Sequence, residues 1–260
     1  MYKYLPTVSV LALFALVACD EPKKDAAPAA SVTPPAPVVA TAAPSASAAA
    51  EPAKKKEIKC DPTATTITFN MPGLEAEVRK KLAKPEGSIT KGDLAKVKSI
   101  NLTSLPVDEI DPCVFPLFTS LKDLFFGPGE LEDLSPIAGL TQLQTLFVTG
   151  DKVSNLAPIA RMIHLDRLGL VKTQVKDIPQ IANFTVLTEL TLDDTSVSDI
   201  SPVAKCTILE KLSIKTTQVK DLRPLTGLKK LRSLTIEGSP IEDTHVLDSL
   251  VVGGLKIGGR

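Results

Sequence analysis

Residues 187–208 read LTELTLDDTSVSDISPVAKCTI, and residues 209–230 read LEKLSIKTTQVKDLRPLTGLKK. Laid one over the other, Leu187 falls on Leu209, Leu190 on Leu212, Leu192 on Ile214, Val197 on Val219, Ile200 on Leu222 and Val203 on Leu225. Self-similarity at one fixed spacing marks a repeat array. The same 22-residue frame extends both ways, giving six consecutive units that begin at Leu121, Leu143, Leu165, Leu187, Leu209 and Leu231 and end at Val252. Position 4 reads Leu124, Leu146, Leu168, Leu190, Leu212, Leu234, and position 6 reads Phe126, Val148, Leu170, Leu192, Ile214, Ile236. An earlier unit starts at Val97, with Ile100, Leu102, Val107 and Ile110 in the same slots, and takes 24 residues to reach Ser120.

Positions 4 and 6 point the same way only on a strand, where side chains alternate with period two. One unit cannot bury its apolar face, whereas units stacked ~4.8 Å apart bury a continuous core. The expected fold is therefore an α/β solenoid: an arc with short parallel strands on the concave face and 3-10 or other short turns on the convex face. Ser at position 15 followed by Pro at position 16 is expected as an N-cap and N1 pair. Asp at position 13 recurs in five of six units and is expected to bond turn backbone, a structural ladder rather than five catalytic acids.

These units resemble leucine-rich repeats, and in particular the internalin-type subclass, which Asp199-Ile200-Ser201-Pro202-Val203-Ala204 and Asp133-Leu134-Ser135-Pro136-Ile137-Ala138 match well. The resemblance covers about Thr65 to Val252 and implies the fold more sharply than any ligand. One departure is position 9, where many leucine-rich repeats place Asn and this chain has Gly129, Asp151, Thr173, Thr195, Thr217 and Ser239. Short polar residues there can still bond the turn.

Terminal units expose apolar faces unless capped. Leu74, Val78 and Leu82 recur at helical spacing after Met71-Pro72, and Thr90 to Asp93 reads as a capping box, so residues 57–96 are expected to form a helical N-terminal cap, as in internalin-like proteins. The repeats then occupy 97–252. Residues 253–260 read as a C-terminal tail rich in Gly, in which Leu255-Lys256-Ile257 could add one frayed strand; no capping helix is visible.

The N-terminus is of another kind. Lys3 precedes an apolar run from Val8 to Ala18, broken only by Ser9, too short for the ~20 residues of a membrane-spanning helix. It reads as a secretory signal, residues 1–18. Its end, Leu16-Val17-Ala18-Cys19, resembles the bacterial lipobox, which implies that Cys19 is lipidated and anchors the protein to a membrane at the bacterial cell envelope; the plainer alternative is an ordinary signal with a chance Cys. Residues 19–56 follow as an expected disordered tether. Between Ala26 and Ala53 there are 13 Ala and six Pro and no large side chain to build a core. In polyproline II such a tether reaches on the order of 100 Å. It could equally be a passive linker.

Composition narrows the chemistry. The 260 residues carry 30 Lys+Arg and 30 Asp+Glu, so no basic excess calls for nucleic acid. The two His, His164 and His245, fall on separate units, no glycine-rich phosphate loop or HExxH appears, and neither a cofactor, a metal nor a small-molecule substrate is expected. Of the four Cys, Cys60 precedes the cap helices and Cys113 lies in the irregular first unit. In an exported protein they can form a disulfide tying the two together; the alternative is a pair of free thiols. Cys206 takes a slot filled elsewhere by Leu, Met or Phe and is expected to be a buried small hydrophobe.

What remains is the outer strand face, positions 3, 5 and 7. Position 5 reads Asn101, Phe125, Phe147, Gly169, Thr191, Ser213, Thr235, with Arg167, Glu189, Asp193 and Lys215 among the charges around it. An apolar spot beside mixed charge suits a protein-binding surface. Alternatively, Phe125 and Phe147 pack under the irregular first unit near Phe115 and Phe118. The expected function is that of an exported, lipid-anchored, non-catalytic module that binds another protein through its concave face, with Phe125, Phe147, Arg167, Glu189, Asp193 and Lys215 in contact. The alternative is an envelope spacer with no specific partner.

Overall fold

Each repeat begins with a Leu-x-x-Leu-x-apolar segment whose alternate residues can share one interior only if the segments lie side by side. In the computed structural model, which describes residues 60–259 apart from 62, 64 and 151, they do so. Strands β1 (Ser99–Leu102), β2 (Asp123–Phe126), β3 (Thr145–Thr149), β4 (Arg167–Val171), β5 (Glu189–Thr191), β6 (Lys211–Ser213), β7 (Ser233–Thr235) and β8 (Lys256–Gly258) form one parallel sheet in sequence order. The register is that of the repeat: Ile100 pairs with Leu124, and the row continues through Leu146, Leu168, Leu190, Leu212 and Leu234 to Ile257. Position 4 and position 6 residues are buried throughout, from Ile100 to Ile236. This is a leucine-rich repeat solenoid.

Short 3-10 turns return the chain on the other side, at Phe115–Leu117, Ser135–Ile137, Ala157–Ile159, Pro179–Asn183, Ser201–Lys205, Arg223–Leu225 and His245–Leu247. The position-15 Ser is not the N-cap expected of it. Ser135 and Ser201 stand inside the turn, and no side chain caps the residue before them. The acid at position 13 takes that role: Ser135 N–H donates to Asp133 Oδ1 (2.9 Å), Ser201 N–H to Asp199 Oδ1 (2.7 Å), Arg223 N–H to Asp221 Oδ1 (2.8 Å) and His245 N–H to Asp243 Oδ1 (2.7 Å). Asn155 does the same for Ala157 (2.9 Å). The unit of Asp177 departs because Pro179, at position 15, has no N–H to give. At position 9, Thr195 and Thr217 hydroxyls donate to Leu192 and Ile214 carbonyls (2.7 and 3.1 Å), which serves the turn without an Asn ladder.

The N-terminal end is closed by α1 (Pro72–Leu82) and α2 (Lys91–Leu94). Leu74 and Val78 of α1 and Leu94 of α2 join the interior, with Leu82 partly buried against it. The capping box of α2 is complete, Thr90 accepting from Asp93 N–H and Asp93 accepting from Thr90 N–H. That carboxylate, held first by the Thr90 backbone and then by Lys84, has its pKa lowered to about 2.

The C-terminal end differs from the expected tail. Residues 248–252 form a short helix, α3 (Asp248–Val252), a turn follows, and β8 adds an eighth strand beside β7. Leu255 is buried beside Leu250, and its N–H donates to the Leu250 carbonyl (2.9 Å). The glycines are conformational rather than merely flexible. Gly254 sits at φ 100°, and Gly259, at φ 79°, passes so close to Glu237 that a Cβ would lie 2.6 Å from its N and Cβ atoms. Cys19, the signal at 1–18, the tether at 19–56 and the first residues of the expected cap segment lie outside the described residues.

Candidate protein-binding face

Phe125 and Phe147 occupy the outer face because their neighbours cannot. Leu124, Phe126, Leu146 and Val148 are all fully buried, and alternation turns the residue between each pair outward. The two are register partners on β2 and β3. Their rings stack with centroids 5.8 Å apart and 19° between planes, and both stay half-buried. The other aromatic cluster faces inward: Phe115 meets Phe118 and Phe126, each at 5.7 Å. The two Phe groups thus occupy opposite sides of β2, and the rings of Phe125 and Phe147 are not part of the packing beneath the first unit.

Gly169 completes this shelf. It pairs with Phe147 in register, and a Cβ there would lie 2.3 Å from Phe147 Cδ1 and Cε1. The ring therefore lies across the Gly169 backbone, and Gly169 itself is buried. Beyond it position 5 continues with small hydroxyl residues, Thr191, Ser213 and Thr235.

The charges around the shelf are paired with one another. Arg167 Nη2 reaches Asp123 Oδ1 at 3.8 Å, two strands away, and its Nε lies 3.9 Å from Asp166 Oδ2. Between them, in the same row, Thr145 is 1% exposed, and its hydroxyl has no hydrogen-bond partner. Glu189 accepts from the Lys211 ammonium, which raises the pKa of that lysine. Asp193 accepts from Ser213 Oγ (2.6 Å) and Lys215 N–H (3.0 Å), and Lys215 Nζ lies 3.6 Å from Glu237. Pairs this exposed contribute about 0–1 kcal/mol each, so their main effect is to neutralise the face locally. Glu189, Asp193 and Lys215 are therefore committed to neighbours, while Arg167 is held only by long contacts. Sequence reasoning placed Gly169 in the row but missed its role under the Phe147 ring, and it missed Thr145 and the pairing itself. Spacing did carry a signal for the pairs: Glu189 and Lys211, or Lys215 and Glu237, stand one unit apart in one row.

At the N-terminal end of the solenoid, Cys60 and Cys113 are joined in a disulfide. Beside it a cleft of about 460 Å³ opens between α1 and the first-unit loop, lined by residues including Met71, Leu105, Ile110 and Asp111. Its buried acid is occupied structurally: Asp111 accepts from Asn70 Nδ2 (2.9 Å), Cys113 N–H (2.8 Å) and Val114 N–H (3.3 Å). Cys206 is a free, fully buried thiol whose pKa desolvation pushes up to about 11. Among the described residues, no group of three or more His, Cys, Asp or Glu could hold a metal ion, and no helix is long and apolar enough to cross a membrane.

No protein-family model matches the chain, and no curated protein sequence matches it. Solved structures do. An internalin (inlF) of Listeria monocytogenes is similar with TM-score 0.65 and 27% identity, over 72% of this chain and 55% of that one. Internalin C2 of the same organism is similar with TM-score 0.66 and 29% identity, over 72% of this chain and 81% of that one. The fold is that of an internalin-like leucine-rich repeat protein. A leucine-rich repeat protein of Leptospira interrogans shares the fold at TM-score 0.53 and 16% identity, over 65% of this chain and 51% of that one. The chain thus spans only about half the length of the first internalin structure.

Proposed function

We propose that this protein is an exported, lipid-anchored, non-catalytic module of the bacterial cell envelope, and that it binds another protein through the concave face of its repeats. The observation that carries the reading is the stacked pair of Phe125 and Phe147, two large rings held half-exposed on a sheet face whose other residues are mostly small or charge-paired. Aromatics at the centre of a patch are the residues that dominate protein interfaces. Arg167, only loosely engaged by Asp123, supplies the rim contact. The internalin-like fold suggests protein binding in general terms. The Cys60–Cys113 disulfide supports export, because such bridges persist in oxidising compartments. The Leu16-Val17-Ala18-Cys19 motif supports lipidation of Cys19.

The test is proximity labelling from the folded domain in the native host, with Phe125→Ala and Phe147→Ala as comparators. A partner that contacts the shelf should be labelled by the wild type and lost with either substitution, each costing more than ~2 kcal/mol of binding. Arg167→Ala should weaken association less and in a salt-dependent way. The self-paired charges favour a rival reading, a spacer with no specific partner. An unchanged labelling pattern in both Phe variants would refute the shelf as the contact, and labelling with no specific protein would favour that rival. Lipidation is read separately: Cys19→Ala should leave the chain unprocessed or shift it to the soluble fraction, and membrane retention at mature size would exclude an anchor there.

A further inference from the structure

We infer that the Cys60–Cys113 bridge is a mechanical bypass, carrying a pull that arrives through the N-terminal segment straight into the first repeat and past the cap. Force runs along covalent bonds until other contacts divert it. Residues before Cys60 are joined covalently to the solenoid through Cys60, and the bridge connects Cys60 to Cys113 across a separation of 53 residues. The segment between them holds α1, α2 and β1. With both its ends fixed at one point, that segment bears no tension. Phe125, Phe147 and Arg167 all follow Cys113, so a pull between the N-terminus and a partner on the shelf never runs through the cap.

Without the bridge the cap would take the load in its weakest direction. The first contacts met by the chain entering at Cys60 include the Ile67 N–H donating to the Ile89 carbonyl (2.8 Å) and an isolated antiparallel bridge between Thr66 and Thr90, before Ile67 and Phe69 pack against the interior. Residues 63, 65 and 66 are exposed. A pull there would peel contacts one after another from the solenoid end, where repeat arrays have neighbours on one side only. Forced unfolding is set by the barrier to the first rupture, and sequential peeling keeps that barrier low. The landing point is the reverse. Cys113 N–H is held by Asp111, and Val114, Phe115 and Phe118 follow directly, 2%, 0% and 0% exposed. Phe115 lies against Phe126 of β2. Several buried contacts there must fail together.

The shielding belongs to the folded unit alone, while the source of the load rests on the proposed anchoring at Cys19. The test therefore uses no membrane: the full chain, with peptide-tag handles at both termini, is stretched in optical tweezers before and after a thiol reductant is added. Cys60 is exposed and Cys113 half-buried, so the reductant can reach the bridge. The oxidised chain should yield first in the repeats and release a total length shorter by roughly 180 Å, at ~3.4 Å per locked residue. The reduced chain should show an added earlier rupture at lower force, releasing the cap. Cys60→Ser should behave as the reduced chain does; if that variant does not fold, reduction of the folded chain held at low tension supplies the comparison. Two results would overturn the inference: reduced and oxidised chains with the same first-rupture force and no earlier event, or an oxidised chain that releases the full length. A failure of Cys19 lipidation would appear only in fractionation and would leave these traces unchanged.

Discussion

Gly169→Ala is the most direct probe of the aromatic shelf. An ideal Cβ at 169 would lie 2.3 Å from two Phe147 ring carbons and 3.0 Å from a third. Favourable carbon contacts lie at about 3.5–4.0 Å, so one side must move by more than an ångström. The backbone of β4 is pinned by Leu168 and Leu170, both 0% exposed. Phe147 is half-buried and has a way out, so the ring should swing off. That forfeits the stack with Phe125, worth about 0.5–1.5 kcal/mol, together with the cover over β4. Against this, Ala in a strand is favoured over Gly by roughly 0.5–1 kcal/mol. The net cost in the wild-type background is about 1 kcal/mol. In a Phe147→Ala background the obstacle is gone, and the same substitution should stabilise by roughly 0.5 kcal/mol. The double-mutant cycle should therefore give a coupling of about 1–2 kcal/mol. Urea titrations of the four proteins followed by far-ultraviolet circular dichroism provide the numbers, since the chain has no Trp. Additivity within ~0.3 kcal/mol would mean that the ring does not rest on Gly169. Partner binding should fall in Gly169→Ala although both Phe residues remain.

Asp199→Ala removes the acceptor for Ser201 N–H and should cost about 0.5–1 kcal/mol, whereas Asp177→Ala should cost less because Pro179 offers no N–H; equal losses in thermal melts would refute the ladder's role. The Asp93 carboxylate, lowered to about 2 in the folded chain against ~3.9 unfolded, contributes stability that is fully present above about pH 4 and lost as pH falls through about 2. The stability gap between wild type and Asp93→Asn should accordingly be flat from pH 5 upward and shrink between pH 4 and 2, and a gap independent of pH would rule the carboxylate out. Cys206, with its thiol pushed up to about 11, should resist iodoacetamide at pH 8 in the native protein and react only in denaturant; rapid native labelling would place it outside the core.

The period was legible because every unit has to fill the same interior slots, so six copies repeat one pattern of burial. Row positions were legible for the same reason: one unit's step in sequence is one strand's step in space. What the repeat does not encode is the behaviour of side chains free to choose a direction. Phe147 could lean towards Phe125 or away, and only the empty side of Gly169 allows it to lie flat. Glu189 and Lys211 face the same way, but whether they meet each other or a partner depends on long, flexible stems. The turn caps misled for a backbone reason. Leu134 at φ −92° and ψ 1° is already at the turn, which moves Ser135 inside it and leaves Asp133 as the acceptor. The eighth strand was half-hidden because Lys256–Gly258 makes only three residues of strand between glycines, and the bond from Leu255 N–H to the Leu250 carbonyl spans five residues where the same bond in the other units spans three.

Aromatic residues are not spread along this solenoid. Five of the eight Phe lie between residues 115 and 147, and the units beyond are mainly aliphatic inside and charge-paired outside. In a repeat array each unit is stabilised by its neighbours, so an end unit lacks half its support. Concentrating large rings and a covalent bridge near the N-terminal end compensates where the chain is joined to whatever precedes it. The same residues lie on the shortest path from bridge to shelf: Cys113 leads to Phe115, Phe115 touches Phe126, and the neighbour of Phe126 on the opposite face is Phe125. Strand β2 thus has the landing site of the load on its inner face and the proposed contact on its outer one. Substitutions in the distal units should lower stability without reaching either function, whereas a smaller residue at Phe126 loosens the support of both faces at once.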